Sequence, residues 1–178
     1  TPEISKDKAK ININLKINNK SQKSQKAIII TSIYNQKGKK IVENKISTII
    51  DDHENNIIQN IIVNNPELWS VESPILYIAK IRLYCNNRLT DLYEVPFGIR
   101  YFSFDNEKGF FLNGKPLKIL GVCMHHDLGA LGSAINIRAI ERQLELLKSM
   151  GCNAIRTSHN PPAPELLDLC DKMGFIVM

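Results

Sequence analysis

The spacing of apolar residues along this chain changes near residue 98. Before that point apolar and polar residues alternate, most clearly from Ala9 to Ile17, where Ile and Leu alternate with Lys and Asn. A period of two with one polar face is typical of a β-strand that has one face in solvent. Further β-rich runs, separated by short polar turn clusters, cover residues 27–34, 40–50, 56–63, 75–85 and 89–95. Strands of this length and spacing predict an immunoglobulin-like antiparallel β-sandwich over residues 1–98.

Residues 99–178 predict strands that alternate with helices. After a hairpin signal at Asn113-Gly114, the apolar run Leu117 to Cys123 predicts a buried parallel strand. Apolar residues then recur at helical spacing over 136–150, with Asn136 as N-cap and Gly151 as C-terminal stop. A second strand, a second helix and a third strand follow at 153–157, 164–173 and 175–178. This order is typical of both a doubly wound sheet and a (β/α)8 barrel, although no GxGxxG motif follows the first strand.

Composition excludes few functions but disfavours two kinds of partner. The net charge of +5 comes mainly from lysines scattered among Asn and Gln before residue 98. Nucleic-acid surfaces favour Arg with interleaved aromatics, so we expect no nucleic-acid partner. No apolar run is long enough to span a membrane, so we expect a soluble protein, cytoplasmic or exported. The cysteines form no CxxC pair, and we expect buried free thiols: Cys85, Cys123, Cys152 and Cys170.

Polar side chains cluster directly after the first two predicted parallel strands. His125, His126 and Asp127 follow the first strand, and Arg156 to Asn160 end the second. Because the carboxyl ends of adjacent parallel strands meet at one edge, we expect these clusters to share a rim. Imidazole both donates and accepts hydrogen bonds, and guanidinium offers a rigid fork of donors, so the set suits hydroxyl-rich ligands.

A metal site is the competing interpretation of the same histidines. His125, His126, Asp127 and His159 are all potential ligands. However, adjacent histidines on an extended segment point to opposite sides and chelate one ion poorly. We therefore expect no metal and no cofactor.

The stretch NAIRTSHNPPAPELLDLCDKMGFIVM resembles the first signature of the family 2 glycoside hydrolases, which include β-galactosidases and β-glucuronidases. The matching positions are Asn153, Ile155, Arg156, Thr157, Ser158, His159, Pro161, Leu166, Leu167, Asp171, Gly174 and residues 175–178. One position departs, because Asn160 stands where the family usually has Tyr. The segment Asn65 to Tyr77 also resembles the end of the sandwich in this family, and we expect its Trp69 to pack in a core rather than stack on a sugar.

The resemblance implies a sandwich followed by the first βαβαβ part of a TIM barrel, with residues 99–178 as that truncated barrel. It implies a parent enzyme that cleaves a β-galactoside or related β-glycoside with retention, and leaves a homo-oligomer open. By resemblance, His125 and His159 look like the substrate-binding histidines and Arg156 lines the same pocket. His126, Asp127 and Asn160 take rim positions, and Cys123 stands where many relatives have Asn.

The resemblance also implies that this segment holds no catalytic residue, because the family's two catalytic glutamates come from later barrel strands. We therefore expect the chain alone to be inactive. We further expect its barrel strands to be incompletely covered, leaving Ile119, Val122, Ile155, Ile176 and Val177 without a complete core. A different class of function, a carbohydrate- or protein-binding sandwich module, would be favoured by a row of exposed aromatics on the sandwich.

Overall fold

The computed structural model describes residues 3–5 and 7–178, which form two compact units. The first, called the sandwich unit, runs up to Glu67 and resumes at Leu76–Ile99. The second, called the α/β unit, combines Leu68–Ile75 with Arg100–Met178. The predicted sandwich segment Asn65 to Tyr77 is thus divided, with its central part in the α/β unit.

Six long antiparallel strands form the sandwich unit. One sheet pairs two strands, β1 (Lys8–Asn18) and β4 (Glu54–Asn64). The other has the order β3-β2-β5-β6. Its strands are β2 (Gln25–Tyr34), β3 (Lys40–Ile50), β5 (Tyr77–Cys85) and β6 (Arg88–Phe97). All six predicted strands are therefore present.

The sandwich core lies between the two sheets and is unevenly covered. Alternate residues are buried, including Ile29 and Ile33 on β2 and Ile61 on β4. Because only two strands oppose four, part of the inner face of β6 stays open. Tyr93 is 68% exposed even though its cross-strand partner Ile81 is buried.

The α/β unit begins with an antiparallel meander. It consists of β7 (Phe102–Asp105), β8 (Gly109–Leu112) and β9 (Lys115–Pro116). Asn113 and Gly114 have φ values of 52° and 75°, the positive pair that a two-residue hairpin turn requires. The hairpin prediction is confirmed, whereas β7 was not predicted.

A parallel three-stranded sheet with two helices follows. Its order is β10-β11-β12. The elements are β10 (Gly121–Met124), α1 (Ile137–Ser149), β11 (Ala154–Thr157), α2 (Pro164–Met173) and β12 (Ile176–Val177). The predicted βαβαβ order is confirmed, and the Asn136 side chain caps α1 by accepting from the Ala139 N–H.

Strand β10 begins four residues later than the pattern predicted. Leu117 still bonds the meander through the carbonyl of Phe110, at 2.9 Å. The Asn153 side chain then donates from Nδ2 to the Lys118 carbonyl and accepts at Oδ1 from the Leu120 N–H, both at 2.9 Å. These side-chain bonds replace the strand ladder there.

The two helices cover one face of the parallel sheet. Ile155 is fully buried on that face with Leu144 of α1 and Phe175. The expectation that Ile155 lacks a core is therefore wrong, because its side chain points toward the helices. Val122 lies at the sheet edge, where no helix covers it, and is 36% exposed. The opposite face carries Cys123 and Arg156, both exposed.

Trp69 belongs to the core of the α/β unit, where it is only 1% exposed. Its indole N–H donates to the Asp171 carbonyl at 2.7 Å, and its own carbonyl accepts from Asn113 at 2.9 Å. The Arg100 guanidinium lies 4.4 Å from the indole centroid, a cation–π geometry. The packing role expected for Trp69 agrees with this environment.

Within the described residues, neither helix is long and apolar enough to cross a membrane.

Candidate functional site

Strands β10 and β11 bring the two polar clusters to the same edge of the parallel sheet. Cys123 lies opposite Arg156 and Met124 opposite Thr157. One residue beyond the ladder, the Ser158 N–H donates to the Met124 carbonyl at 2.9 Å. The loops that begin at His125 and at His159 therefore leave the sheet side by side.

His125 and His159 form a pair at this edge. Their ring centroids lie 6.1 Å apart with an angle of 84° between the ring planes, and both side chains are exposed. The peptide bond between Ser158 and His159 is cis. Two exposed imidazoles at this spacing can form hydrogen bonds with neighbouring hydroxyl groups of one ligand.

Arg156 lies on the open face of the sheet, fixed at one nitrogen. Its Nη1 donates to Ser158 Oγ at 3.1 Å and approaches Cys123 Sγ at 3.8 Å. Within the described ranges, Nε and Nη2 have no hydrogen-bond partner. Arg156 therefore keeps one edge of its guanidinium available for a ligand or for a carboxylate.

Cys123 is exposed and Cys85 and Cys152 are only half-buried, so the expectation of buried free thiols holds for Cys170 alone. Interaction with the Ser158 hydroxyl, and next with Arg156, lowers the pKa of the Cys123 thiol below its ordinary value. Cys170 is the opposite case, because burial raises the pKa of its thiol to about 12. The thiol on the open face is thus the more readily ionised of the two.

Asp127 braces the loop that follows β10. Its carboxylate accepts from the Gly129 N–H at 2.8 Å, and its carbonyl accepts from Gln143 Nε2 at 3.2 Å. Asp127 also lines a small cavity of about 40 Å³ together with His125, His126 and apolar residues from the two helices. That volume has room for about one water molecule and not for a sugar ring.

His126 and Asn160 are exposed on the same two loops. Their side chains make no hydrogen bond to any part of the chain that the structure describes. No group of three His, Cys, Asp or Glu side chains in those residues has the arrangement of a metal site.

Between β10 and β12, the acidic side chains other than Asp127 belong to the helices. Glu141 and Glu145 on α1 pair with Arg138, at 2.9 Å in both cases. Asp127 is therefore the one carboxylate that the described residues place on the loops at this edge, and it is already engaged in a turn.

Ser158 is the residue of this edge, in hydrogen-bond contact with Arg156, to which the sequence analysis gave no role. It was noted as a position in the family signature and given no role of its own. Its position two residues after Arg156 put both on the same side of the extended strand, which was the available signal. Its burial, and the exposure of Cys123, depend on the sheet and could not be read from spacing.

Comparison with known proteins covers the whole chain. The family profile described as "Glycosyl hydrolases family 2" matches residues 1–100. The profile described as "Glycosyl hydrolases family 2, TIM barrel domain" matches residues 105–178.

Individual relatives and solved structures are also similar to this chain. The β-galactosidase BoGH2A of Bacteroides ovatus is 46% identical over all of this chain, which covers 21% of that protein. The crystal structure of a family 2 glycosyl hydrolase from Bacteroides cellulosilyticus DSM 14838 superposes with a TM-score of 0.95 at 36% identity, over 100% of this chain and 25% of that one. Bacteroides uniformis β-glucuronidase 2, solved covalently bound to cyclophellitol-6-carboxylate aziridine, gives a TM-score of 0.92 at 31% identity, over 99% of this chain and 22% of that one.

The chain thus spans about a fifth of the length of these curated relatives. The predicted fold, an immunoglobulin-like sandwich followed by the opening βαβαβ of a TIM barrel, is confirmed. The chain belongs to glycosyl hydrolase family 2.

Proposed function

We propose that this segment is part of a retaining β-glycosidase and that the edge formed by β10 and β11 is part of its sugar-binding rim. We refer to that enzyme as the full-length protein. In it, His125 and His159 exchange hydrogen bonds with ring hydroxyls, and Arg156 lines the same pocket. His126, Asp127 and Asn160 lie on the two loops around them.

The convergence of His125, His159 and Arg156 at the ends of two adjacent parallel strands carries the proposal. A glycosidase strengthens its hydrogen bonds to ring hydroxyls as the oxocarbenium-like transition state forms. The imidazole pair, 6.1 Å apart, and the free guanidinium edge offer donors and acceptors suited to that task.

The carboxylates of this segment indicate which part of the enzyme supplies the catalytic pair. Glycoside hydrolysis needs two carboxyl groups that flank the scissile bond, separated by roughly 5 to 9.5 Å. The described residues offer only Asp127 on the rim loops, and its carboxylate holds a turn. The catalytic pair therefore comes from outside this segment, and the segment alone is inactive.

Retention and the sugar are supported by relatives. The covalent complex of the Bacteroides uniformis enzyme is typical of a glycosidase that reacts through a carboxylate nucleophile. The relatives include both β-galactosidases and β-glucuronidases, so a β-galactoside is proposed first and other β-glycosides second.

The sandwich unit offers little support for a binding module. Within its described residues, Tyr93 is the one aromatic side chain more than about a third exposed. A sugar-binding platform needs a row of exposed rings, and one ring does not make a row.

The test is turnover of a panel of aryl β-glycosides, galactoside, glucuronide and glucoside, by the full-length protein. We expect hydrolysis of at least one, with the β-anomer of the sugar released first. His159→Ala should lower kcat/KM by about 100-fold, since several transition-state hydrogen bonds depend on this edge. Lack of turnover of every β-glycoside in the panel would overturn the proposal.

The matched control is the 178-residue chain assayed under the same conditions. We expect the chain to hydrolyse the aryl β-glycosides no faster than its own Asp127→Ala variant does. Turnover that the Asp127→Ala substitution abolishes would place a catalytic carboxylate in this segment and contradict the proposal that the catalytic pair comes from outside it.

A further inference from the structure

We propose that Ser158 is a positioning residue, whose buried hydroxyl fixes the guanidinium of Arg156 on the open face of the barrel sheet. This inference rests on the proposed function for its kinetic consequence. Its structural content, the dependence of the Arg156 conformation on Ser158, stands independently of that function.

Ser158 is itself held firmly in place. It is 3% exposed, and its backbone N–H donates to the Met124 carbonyl at 2.9 Å. Its Oγ therefore has a fixed position relative to both β10 and β11. A long, exposed side chain such as Arg156 has no comparable support from its own strand.

The contact to Arg156 uses one corner of the guanidinium. Nη1 donates to Ser158 Oγ at 3.1 Å, while Nε and Nη2 remain without partners in the described part of the chain. A planar guanidinium held at Nη1 presents its free edge in one direction. Ser158 thus sets the direction in which Arg156 can make a bidentate contact.

Cys123 is the second neighbour of Nη1 but the weaker anchor. Its sulfur lies 3.8 Å from Nη1 and is exposed. Thiol sulfur is also a weaker acceptor than a hydroxyl oxygen. Removal of the Cys123 thiol is therefore the matched control for removal of the Ser158 hydroxyl.

Loss of the anchor has a defined kinetic consequence. Without Ser158 Oγ the guanidinium samples several rotamers, and only a fraction of them match the transition state. Misplacement of a positioned group by about 1 Å costs up to roughly 100-fold in rate. We expect Ser158→Ala to lower kcat/KM by about 10- to 100-fold, mainly through kcat, because the contact gains value in the transition state.

The experiment compares five variants of the full-length protein with a fluorogenic aryl β-glycoside: Ser158→Ala, Ser158→Thr, Cys123→Ala, Arg156→Ala and the Arg156→Ala/Ser158→Ala double variant. Ser158→Thr keeps the hydroxyl and should stay within about 3-fold of wild type, as should Cys123→Ala, while Ser158→Ala falls by the full amount. In the Arg156→Ala background, Ser158→Ala should change kcat/KM by less than about 3-fold, because the two residues act as one unit. Additive losses, or equal activity of Ser158→Ala and Ser158→Thr, would overturn the positioning role.

Crystal structures of the wild type, Ser158→Ala and Ser158→Thr forms separate this inference from the proposed function. We expect the Nη1 contact in the first and third, and several Arg156 conformers in the second. A single unchanged Arg156 conformer in Ser158→Ala would refute the positioning role even in an inactive protein. Absence of glycosidase activity in a wild type with the expected Arg156 conformer would refute the proposed function alone.

Discussion

The sandwich unit and the α/β unit differ in how completely their strands are paired and covered. Sandwich strands are 9 to 11 residues long and pair along most of their length. The parallel strands β10, β11 and β12 have 4, 4 and 2 residues, and helices cover only one face of their sheet. The open face of that sheet carries Cys123 and Arg156, and the paired histidines follow its strand ends.

The difference extends to the polar side chains of the two units. In strand β1 of the sandwich, polar side chains that mostly point to solvent alternate with an apolar set that is half-buried or buried. In the α/β unit, exposed polar side chains with unused donors are concentrated at the ends of β10 and β11, and among them Arg156 is anchored by Ser158. An incompletely covered sheet is less stable but leaves the side chains of its open face exposed.

The largest effect expected in either unit comes from truncation of a fully buried aliphatic side chain. Leu144 in α1 and Ile29 in β2 are both fully buried. Leu144→Ala and Ile29→Ala should each cost about 2–5 kcal/mol, from lost burial and the cavity left behind. Hydrogen exchange of the full-length protein, read by mass spectrometry, measures which strands lose protection.

The pair tests whether the two units are separate. We expect Leu144→Ala to deprotect β11 and leave β2 unchanged, and Ile29→Ala to do the reverse. Equal deprotection of both strands by either change would show that the units unfold together.

Thiol labelling contrasts the two faces of the α/β unit. Cys123 lies on the open face with a lowered pKa, and burial raises the pKa of Cys170 to about 12. Because the thiolate is the nucleophile, iodoacetamide at pH 8 should modify Cys123 at least roughly 100-fold faster in the native protein. Peptide mapping against time checks the ratio, with urea-unfolded protein as the control in which the rates converge.

The sign of the pH dependence follows from the same groups. A lowered pKa means that Cys123 keeps its reactivity to lower pH than an ordinary thiol. Ser158→Ala removes the main cause of the lowered pKa, so its labelling profile should shift to higher pH. A shift to lower pH, or no difference from wild type, would contradict the described contact.

Two glycine positions compare a close strand approach in the α/β unit with an open turn in the sandwich unit. A Cβ on Gly121 would collide with the backbone carbonyl of Ala154 on the neighbouring strand, whereas one on Gly38 has open space. Gly121→Ala should cost about 2–3 kcal/mol in the α/β unit, since β10 must move away from β11. Gly38→Ala should cost about 1 kcal/mol, because its φ of 74° is unfavourable for alanine.

Equal, small losses of stability in Gly121→Ala and Gly38→Ala would contradict the contrast between the two positions. Denaturant midpoints of the full-length variants, resolved by exchange of β11 and of β3, provide the measurement.

The smallest effect is at the start of α1. Asn136 accepts a hydrogen bond from the Ala139 N–H at 3.0 Å. Asn136→Ala should destabilise the α/β unit by about 1 kcal/mol, and Asn136→Asp should retain most of the stability. Hydrogen-exchange rates of the first turn of α1 test this prediction. Equal protection in the Asn136→Ala and Asn136→Asp variants would show that the side-chain cap does not stabilise the helix.

Local patterns predicted the elements well where period and caps decide them. Lys40–Ile50 and Pro164–Met173 have the predicted bounds, because alternation, Pro at the helix start and Gly174 at its end are local signals. The unit to which Trp69 belongs was not predictable, since it depends on a hydrogen bond to Asp171, 102 residues away. Strand β7 was missed for a different reason, because it has only four residues and pairs locally with the equally short β8.

The candidate site likewise has one part that local patterns predicted and another that they did not. The strand-end rule predicted that His125 and His159 share an edge, and their rings lie 6.1 Å apart. The roles of Ser158 and Cys123 depend on which face of the sheet the helices cover. Spacing along one strand cannot give that information, because it does not say what packs on either side.

The measurement that tests the contrast between the units most directly is hydrogen exchange on the 178-residue chain across a dilution series. At roughly 25 cal/mol per Å², a few hundred square ångströms of uncovered apolar surface forfeit several kcal/mol, comparable to the stability of a domain. We therefore predict that the sandwich strands stay protected at every concentration, while Asn153–Thr157 becomes unprotected once the chain is monomeric. Protection of Asn153–Thr157 equal to that of the sandwich strands, in a demonstrated monomer, would show that the α/β unit stands unaided and would contradict this account.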